Sequence, residues 1–252
     1  MAAANGAQRS DRIDPLNDPR LQYNRLRSVR GCHDWLMTYL SFMFQCHYFT
    51  EFDKIDDEVY RRWLERVPEF RRSLAQSFKR RQDAVLSLAS YLLLERALSR
   101  RGHEFYWNEF GKPYLMPQLS QGPPPFFSFS HTDGMAVCCF AETEVGVDVE
   151  RIADVKDELA GTICTVKERR FLDRSGNPGY HLARFWVLKE SYFKALGHGL
   201  SLDPRSVDFS GSFPHEFAFE TFSDVPGYLA AVCRRGNEAV CRWSSVRFEE
   251  LE

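Results

Sequence analysis

Two carboxylates stand two residues apart in Gly146-Val147-Asp148-Val149-Glu150. In an extended strand Val147 and Val149 face one side, and Asp148 and Glu150 the other. Like charges placed so at the end of an apolar strand are costly unless a cation sits between them, and carboxylate oxygens are the ligands of a hard divalent ion. A strand end emerging into solvent would carry the same residues. About forty residues on comes ARFWVLKESYFKALGHGL, from Ala183 to Leu200. Phe185, Leu188, Tyr192 and Leu196 make one apolar helical stripe, while Trp186, Glu190 and Lys194 recur four apart on another face. Gly197 and Gly199 then stop the helix. Glu190 and Lys194 form either a surface ion pair worth ~0.3–0.5 kcal/mol, or a cation ligand and a phosphate contact. Phe129-Ser130-His131-Thr132 is a third candidate. Adjacent Ser and His cannot by themselves make a nucleophile–base couple, no G-x-S-x-G elbow is present, and His131 also reads as a structural histidine. No P-loop or G-x-G-x-x-G motif offers to cradle a nucleotide. Residues 61–81 carry Arg61, Arg62, Arg66, Arg71, Arg72, Lys79, Arg80 and Arg81 against Glu65 and Glu69, which fits a solvated helix face or a local phosphate site.

These side chains need elements to place them. Residues 1–29 read as a flexible tail, and the apolar stretch Cys32 to Phe52 as a buried strand or two. Asp53, Asp56, Asp57 and Glu58 suit the start of a helix. A helical period follows over Ala84–Leu98, ended by Gly102. Gly111-Lys112-Pro113-Tyr114 and Gly122-Pro123-Pro124-Pro125 read as turns. Phe126–Ser130, Met135–Ala141 and Val145–Glu150 read as strands, Val155–Leu172 and His181–Leu196 as helices. Glu216–Phe222, Tyr228–Arg234 and Val240–Phe248 close the chain as strands. Ala136-Val137-Cys138 and Ala231-Val232-Cys233 echo each other, which is compatible with two similar halves.

The chain has 252 residues, 44% of them hydrophobic, with Lys+Arg 33 and Asp+Glu 35 for a net charge of -2. Near neutrality argues against a nucleic-acid binder, and the composition excludes a disordered chain. Seven cysteines without a C-x-x-C fit neither a zinc site nor a redox motif. The vicinal Cys138-Cys139 pair reads as small hydrophobes in a strand, and a reducing, cytoplasmic setting is expected. Met1–Ala4, followed by polar Asn5, Gln8 and Arg9, is no signal-peptide core. No apolar run approaches the ~20 residues of a membrane span, so no membrane association is expected.

In order, the chain runs through the basic block, Gly-Lys-Pro, Phe-Ser-Phe-Ser-His, Gly-Val-Asp-Val-Glu and Trp-Val-Leu-Lys-Glu-Ser-Tyr-Phe-Lys-Ala. Over roughly residues 60–235 it resembles the larger 4′-phosphopantetheinyl transferases, whose signature is a glycine–aliphatic–Asp–x–Glu strand and a W-x-x-K-E-[AS]-x-x-K helix. Trp186, Lys189, Glu190, Ser191 and Lys194 match that helix position by position. The resemblance implies an α+β fold of two similar halves related by a pseudo-twofold, with the active site in the cleft between them. The halves would be 30–150 and 151–252, after the 1–29 tail. It implies transfer of the 4′-phosphopantetheine group from coenzyme A to a serine of an apo acyl or peptidyl carrier protein, by a monomer. Asp148, Glu150 and Glu190 would hold Mg²⁺ or Mn²⁺. Lys194 would contact the pyrophosphate, Ser130 and His131 coenzyme A, with His131 at the 3′-phosphate. Lys112 and Pro113 would lie beside the adenine, and Ser87 near the 3′-phosphate. Arg71 and Arg72 are the upstream basic candidates, since the position nine before Asp83, often basic in the family, is Leu74. Glu168 matches a glutamate found near the metal. The base would be Glu190, Glu168 or a metal-bound water. A non-catalytic coenzyme A- or carrier-binding protein of the same fold is the alternative; another Mg-dependent phosphoryl enzyme would leave the helix match unexplained.

Overall fold

The computed structural model describes residues 44–98, 104–117, 124–211, 213–237 and 241–252. The expected 1–29 tail, Cys32, Gly102 and Gly122 lie outside the described residues. In chain order the strands are β1 (Gln45–Phe49), β2 (Phe105–Trp107), β3 (Pro113–Leu115), β4 (Phe126–Thr132), β5 (Met135–Ala141), β6 (Val145–Arg151), β7 (Phe217–Phe222), β8 (Tyr228–Arg235) and β9 (Arg242–Ser245). The helices are α1 (Asp57–Arg66), α2 (Glu69–Ser77), α3 (Arg81–Ala97), α4 (Leu159–Ile163), α5 (Val166–Leu172) and α6 (Pro178–Leu196).

Two sheets carry the fold, ordered β4-β5-β1-β9 and β6-β8-β7. The runs β1–α3–β4–β5 and β6–α6–β7–β8 repeat one plan: a strand, a long helix, then a hairpin whose second strand pairs back antiparallel to the first. The two Ala-Val-Cys triplets fall on β5 and β8, the middle strands of this repeat. Strand alternation builds the layers. Ala136, Cys138 and Phe140 of β5 pack with Leu88 and Leu92 of α3. Met135, Val137, Cys139 and Ala141 face the second sheet, meeting Val145, Val147 and Val149 of β6 and Val232 of β8. On the far side Leu229 and Ala231 of β8 pack with Leu182, Phe185 and Leu188 of α6. The order of layers is helix, sheet, sheet, helix, so β5 is buried on both faces and reads as an unbroken apolar run. Cys138 and Cys139 point to opposite faces of it, and the six described cysteines are free and buried.

The sheets depart from the expected division at residue 150. β6 belongs to the second sheet, because its residues 145–151 pair with β8, and β9 returns to pair parallel with β1 in the first. β9 also seals one side of the repeat. Glu220 of β7 accepts from Trp243 Nε1 and Cys241 N at 3.0 Å each, and Trp243 stacks on Phe222 with centroids 4.4 Å apart. At the other meeting of the sheets, β4 against β6, Ser128, Ser130 and Asp148 face inward.

The helix expected over 155–172 is two short ones, because Thr165 starts a new helix. Its Oγ1 accepts from Glu168 N at 3.1 Å while Glu168 Oε2 accepts from Thr165 N at 2.8 Å, a capping box. The acidic start is borne out: Asp56 caps α1, accepting from Glu58 N and Val59 N at 2.9 Å each. α6 begins at an Asn177 cap with Pro178 in its first turn and ends at Gly197, whose φ of 79° is the left-handed conformation that glycine adopts without strain.

Candidate active site

β6 and α6 bring the carboxylates together. Gly146 lets the helix lie directly on the strand: a Cβ there would stand 1.9 Å from Ser191 O and 2.4 Å from Ala195 N. With Val147 and Val149 in the core, Asp148 and Glu150 turn to the helix face that presents Trp186, Glu190 and Lys194. Lys194 Nζ donates to Asp148 Oδ1 at 2.7 Å and to Ser130 Oγ at 2.9 Å, and Ser130 Oγ donates to Asp148 Oδ1 at 2.8 Å. Its ion-pair partner is therefore Asp148 across the sheet edge, so the surface pair with Glu190 is not what the helix makes. Trp186 Nε1 donates to Glu150 Oε1 at 3.0 Å. Asp148 Oδ2 and Glu190 Oε1 are buried without a hydrogen-bond partner.

The electrostatics follow from crowding. Burial first, then the Asp148 charge, pushes the carboxyls of Glu150 and Glu190 up to about 7 each. Burial alone would lower the Lys194 ammonium, but Asp148 and Glu190 outweigh it and raise it. Three carboxylates here face one ammonium. Among the described residues no three His, Cys, Asp or Glu side chains stand as a ready metal-binding group. The two orphaned oxygens and the excess negative charge nonetheless suit a hard cation that takes oxygen ligands.

One prediction arises directly. A carboxyl whose folded value is raised from 4.5 to about 7 stabilises the fold most when protonated, so that stability is lost as pH rises through that window. With divalent cations chelated, Glu190→Gln should therefore be more stable than the wild type at pH 8, by about 1–3 kcal/mol, and close to it near pH 4.5. Urea unfolding at the two pH values measures this; a variant less stable at pH 8 would remove the burial argument.

A second cluster occupies the other face of β4. Ser128 and Ser130 turn toward β6, where Ser128 Oγ accepts from Val147 N at 3.2 Å. Phe127 and Phe129 turn toward α3, and His131 shares their face by alternation. Ser130 and His131, adjacent in sequence, thus serve opposite faces of one edge strand. Arg71 lies over the Phe129 ring at 5.0 Å and donates to Ser87 O at 2.6 Å. It is only 6% exposed, has no ion pair among the described residues, and its Nε has no partner. Burial depresses its guanidinium to about 10. Burial, then Lys194 and Arg71, lowers His131 to about 4. An unpaired buried guanidinium beside a histidine is a place for an anion.

Between these faces opens a cavity of about 200 Å³, whose lining includes Phe110, Lys112, Pro113, Phe127, Phe129 and Lys194. Lys112 Nζ is turned to carbonyls, donating to Lys194 O at 2.6 Å and Val145 O at 3.0 Å, so the cavity receives its aliphatic stem.

Two expected residues lie elsewhere. Arg72, one position from Arg71 and so about 100° around the helix, donates to the carbonyls of Leu64 at 2.8 Å and Glu65 at 3.2 Å, closing the end of α1. Glu168 is fully buried with Lys189 at 2.8 Å, and its oxygens accept from the backbone N–H groups of Thr165 and Phe209, so it has no access to a substrate proton. Leu74 is exposed on α2 and offers no phosphate contact. Ser128 was not singled out by the sequence reading, although the two-residue period of Phe-Ser-Phe-Ser carried the signal.

The arrangement sets carboxylates and a lysine on one face of β4, and on the other an arginine without an ion pair and a histidine, chemistry that suits a divalent cation and an anion. The profile of the 4′-phosphopantetheinyl transferase superfamily matches residues 144–241. The chain is 27% identical over 219 residues to 4′-phosphopantetheinyl transferase Sfp of Bacillus subtilis (strain 168), covering 78% of this chain and 95% of that one. It is 30% identical over 187 residues to 4′-phosphopantetheinyl transferase pptA of Paxillus involutus, covering 63% of this chain and 70% of that one. To the L-aminoadipate-semialdehyde dehydrogenase-phosphopantetheinyl transferase of Xenopus laevis it is 26% identical, over 52% of this chain and 49% of that one. This chain belongs to the 4′-phosphopantetheinyl transferase family.

Proposed function

We propose that this chain performs its family's reaction on coenzyme A through the β4–β6–α6 site: the hydroxyl oxygen of an apo carrier serine attacks the β-phosphorus, the P–O bond to 3′,5′-ADP breaks, and phosphopantetheinyl-serine forms. The observation that carries the assignment is the buried excess of negative charge, Asp148, Glu150 and Glu190 against Lys194, with two oxygens unpartnered. Asp148 and Glu150 with Glu190 hold a divalent cation, Mg²⁺ or Mn²⁺, which when bound neutralises pyrophosphate oxygens. Lys194, held between Ser130 and Asp148, would contact the pyrophosphate and stabilise the charge that develops on the α-phosphate oxygen as 3′,5′-ADP leaves. With Glu168 buried and engaged by Lys189 and two backbone N–H groups, Glu190 or a water beside the cation would receive the serine proton. Arg71 and His131 hold the 3′-phosphate, with the Ser87 carbonyl fixing the Arg71 guanidinium. The cavity at Lys112 and Pro113 takes the adenine.

The nucleophile belongs to the carrier, so the chain needs none of its own. We further propose that it acts as a monomer built of two halves, and in the cytoplasm. The six described cysteines, free and buried, support a reducing setting, and no helix among the described residues is long and apolar enough to cross a membrane. The test is to incubate the protein with coenzyme A, Mg²⁺ and apo carriers of fatty-acid, polyketide and peptide synthesis, and weigh each carrier. No carrier gaining phosphopantetheine would sink the reading.

The 3′-phosphate contact has its own expectation. Losing a charge-assisted hydrogen bond costs about 1.5–3 kcal/mol, so dephospho-coenzyme A should be a poorer donor by about 10- to 150-fold. His131→Ala should narrow that gap; an unchanged donor ratio would take His131 out of the contact.

A further inference from the structure

Lys189 is the residue of the Trp-Val-Leu-Lys-Glu-Ser helix that the transfer chemistry leaves unused. Its Nζ is fully buried and donates to Pro204 O at 2.6 Å and Val207 O at 2.7 Å, and pairs with Glu168 Oε2 at 2.8 Å. Three ammonium donors meet three acceptors. Glu168 is held at both oxygens: Oε2 also accepts from Thr165 N at 2.8 Å, and Oε1 from Phe209 N at 2.9 Å. The pair ties α6 to the start of α5 and to the chain at 204–209.

We propose that Lys189 and Glu168 are positioning residues that set the rotation of α6 about its axis, and so aim Glu190 and Lys194 at Asp148. Neighbouring helical residues are about 100° apart, so the direction fixed for Lys189 dictates that of Glu190. From the inner side Gly146 sets how closely α6 approaches β6, but it has no side chain to fix rotation. The outer side has one, anchored at three points. A carboxylate about 5.5 Å from a helix axis swings about 2 Å for each 20° of rotation, and a 1 Å misplacement can cost about 10² in rate. The Trp186–Glu150 bond lies on the same rotating face.

This inference rests on the transfer reading for its kinetic arm only. Removing one partner leaves a buried unpaired charge, so the tests are Lys189→Met/Glu168→Gln, which removes both, and Lys189→Arg, which keeps the charge but not the three-point geometry. In both, kcat should fall about 10- to 100-fold, while the Kd for coenzyme A weakens by no more than about fivefold, because α6 carries Lys194 but not Arg71 on α2 or His131 on β4. The indole N–H resonance of Trp186 should shift as its bond to Glu150 is misaligned, a readout that needs no turnover. Unchanged kcat and an unmoved Trp186 signal in a folded variant would overturn the proposal. So would loss of folding in both variants, or a rise in the Kd for coenzyme A as large as the fall in kcat. A wild-type protein that modifies no carrier would instead strike the transfer reading and leave the Trp186 shift as the test.

Discussion

Asp148→Asn should abolish carrier modification, with turnover down by about 10³-fold or more, in a chain that remains folded. Asp148 is the hinge of the site: Oδ1 holds Lys194 and Ser130, and Oδ2 is one of the two orphaned oxygens. The amide keeps the shape and can still accept from Ser130, so the packing of β4 on β6 survives. It removes the charge that pairs with Lys194 and that suits a cation. The same change relieves the repulsion felt by Glu150 and Glu190, so the melting temperature should hold or rise. The measurement is carrier mass and thermal melting on one preparation. Wild-type transfer by this variant would end the assignment of Asp148.

Gly146→Ala should damage the protein differently, through its fold. The added Cβ would meet Ser191 O at 1.9 Å and Ala195 N at 2.4 Å, both backbone atoms of a helix packed on its far side as well. Neither can turn away as a side-chain end could, so α6 must move off β6 by an ångström or more. A cost of about 3 kcal/mol or more is expected, which for a chain of this size is a fall of roughly 6–12 °C in melting temperature. Transfer should fall with it, since Glu190 and Lys194 travel with the helix. An unshifted melting curve with full transfer would contradict the close seating of α6 on β6.

Much of this was legible in sequence because its signals are local. The two-residue period of Gly-Val-Asp-Val-Glu put its valines in the core and its carboxylates together, and the four-residue period of Trp186, Glu190 and Lys194 put those three on one helix face. Strands over 135–141 and 217–222 and the helix ending at Gly197 follow the same kind of rule. The basic block was not legible in this way. Eight basic residues offer one composition, yet Arg66 is paired with Glu95, Arg81 with Asp57 and Arg72 closes α1, while Arg71 alone turns inward over Phe129.

The sequence by itself determined which residues could share a face, because φ/ψ periodicity is a property of neighbours along the chain. It determined the family too, because two spaced motifs carry more information than either. Only the tertiary structure decided which faces meet. Lys194 chose Asp148 over the helical neighbour Glu190 because Gly146 lets α6 lie against β6. Strand alternation divides Ser130 from His131, but only the packing of β6 on one face of β4 and α3 on the other gave each its surroundings. Glu168 was taken out of the chemistry by Lys189, 21 positions away in the sequence, because a buried carboxylate goes to the cation and N–H groups that satisfy it.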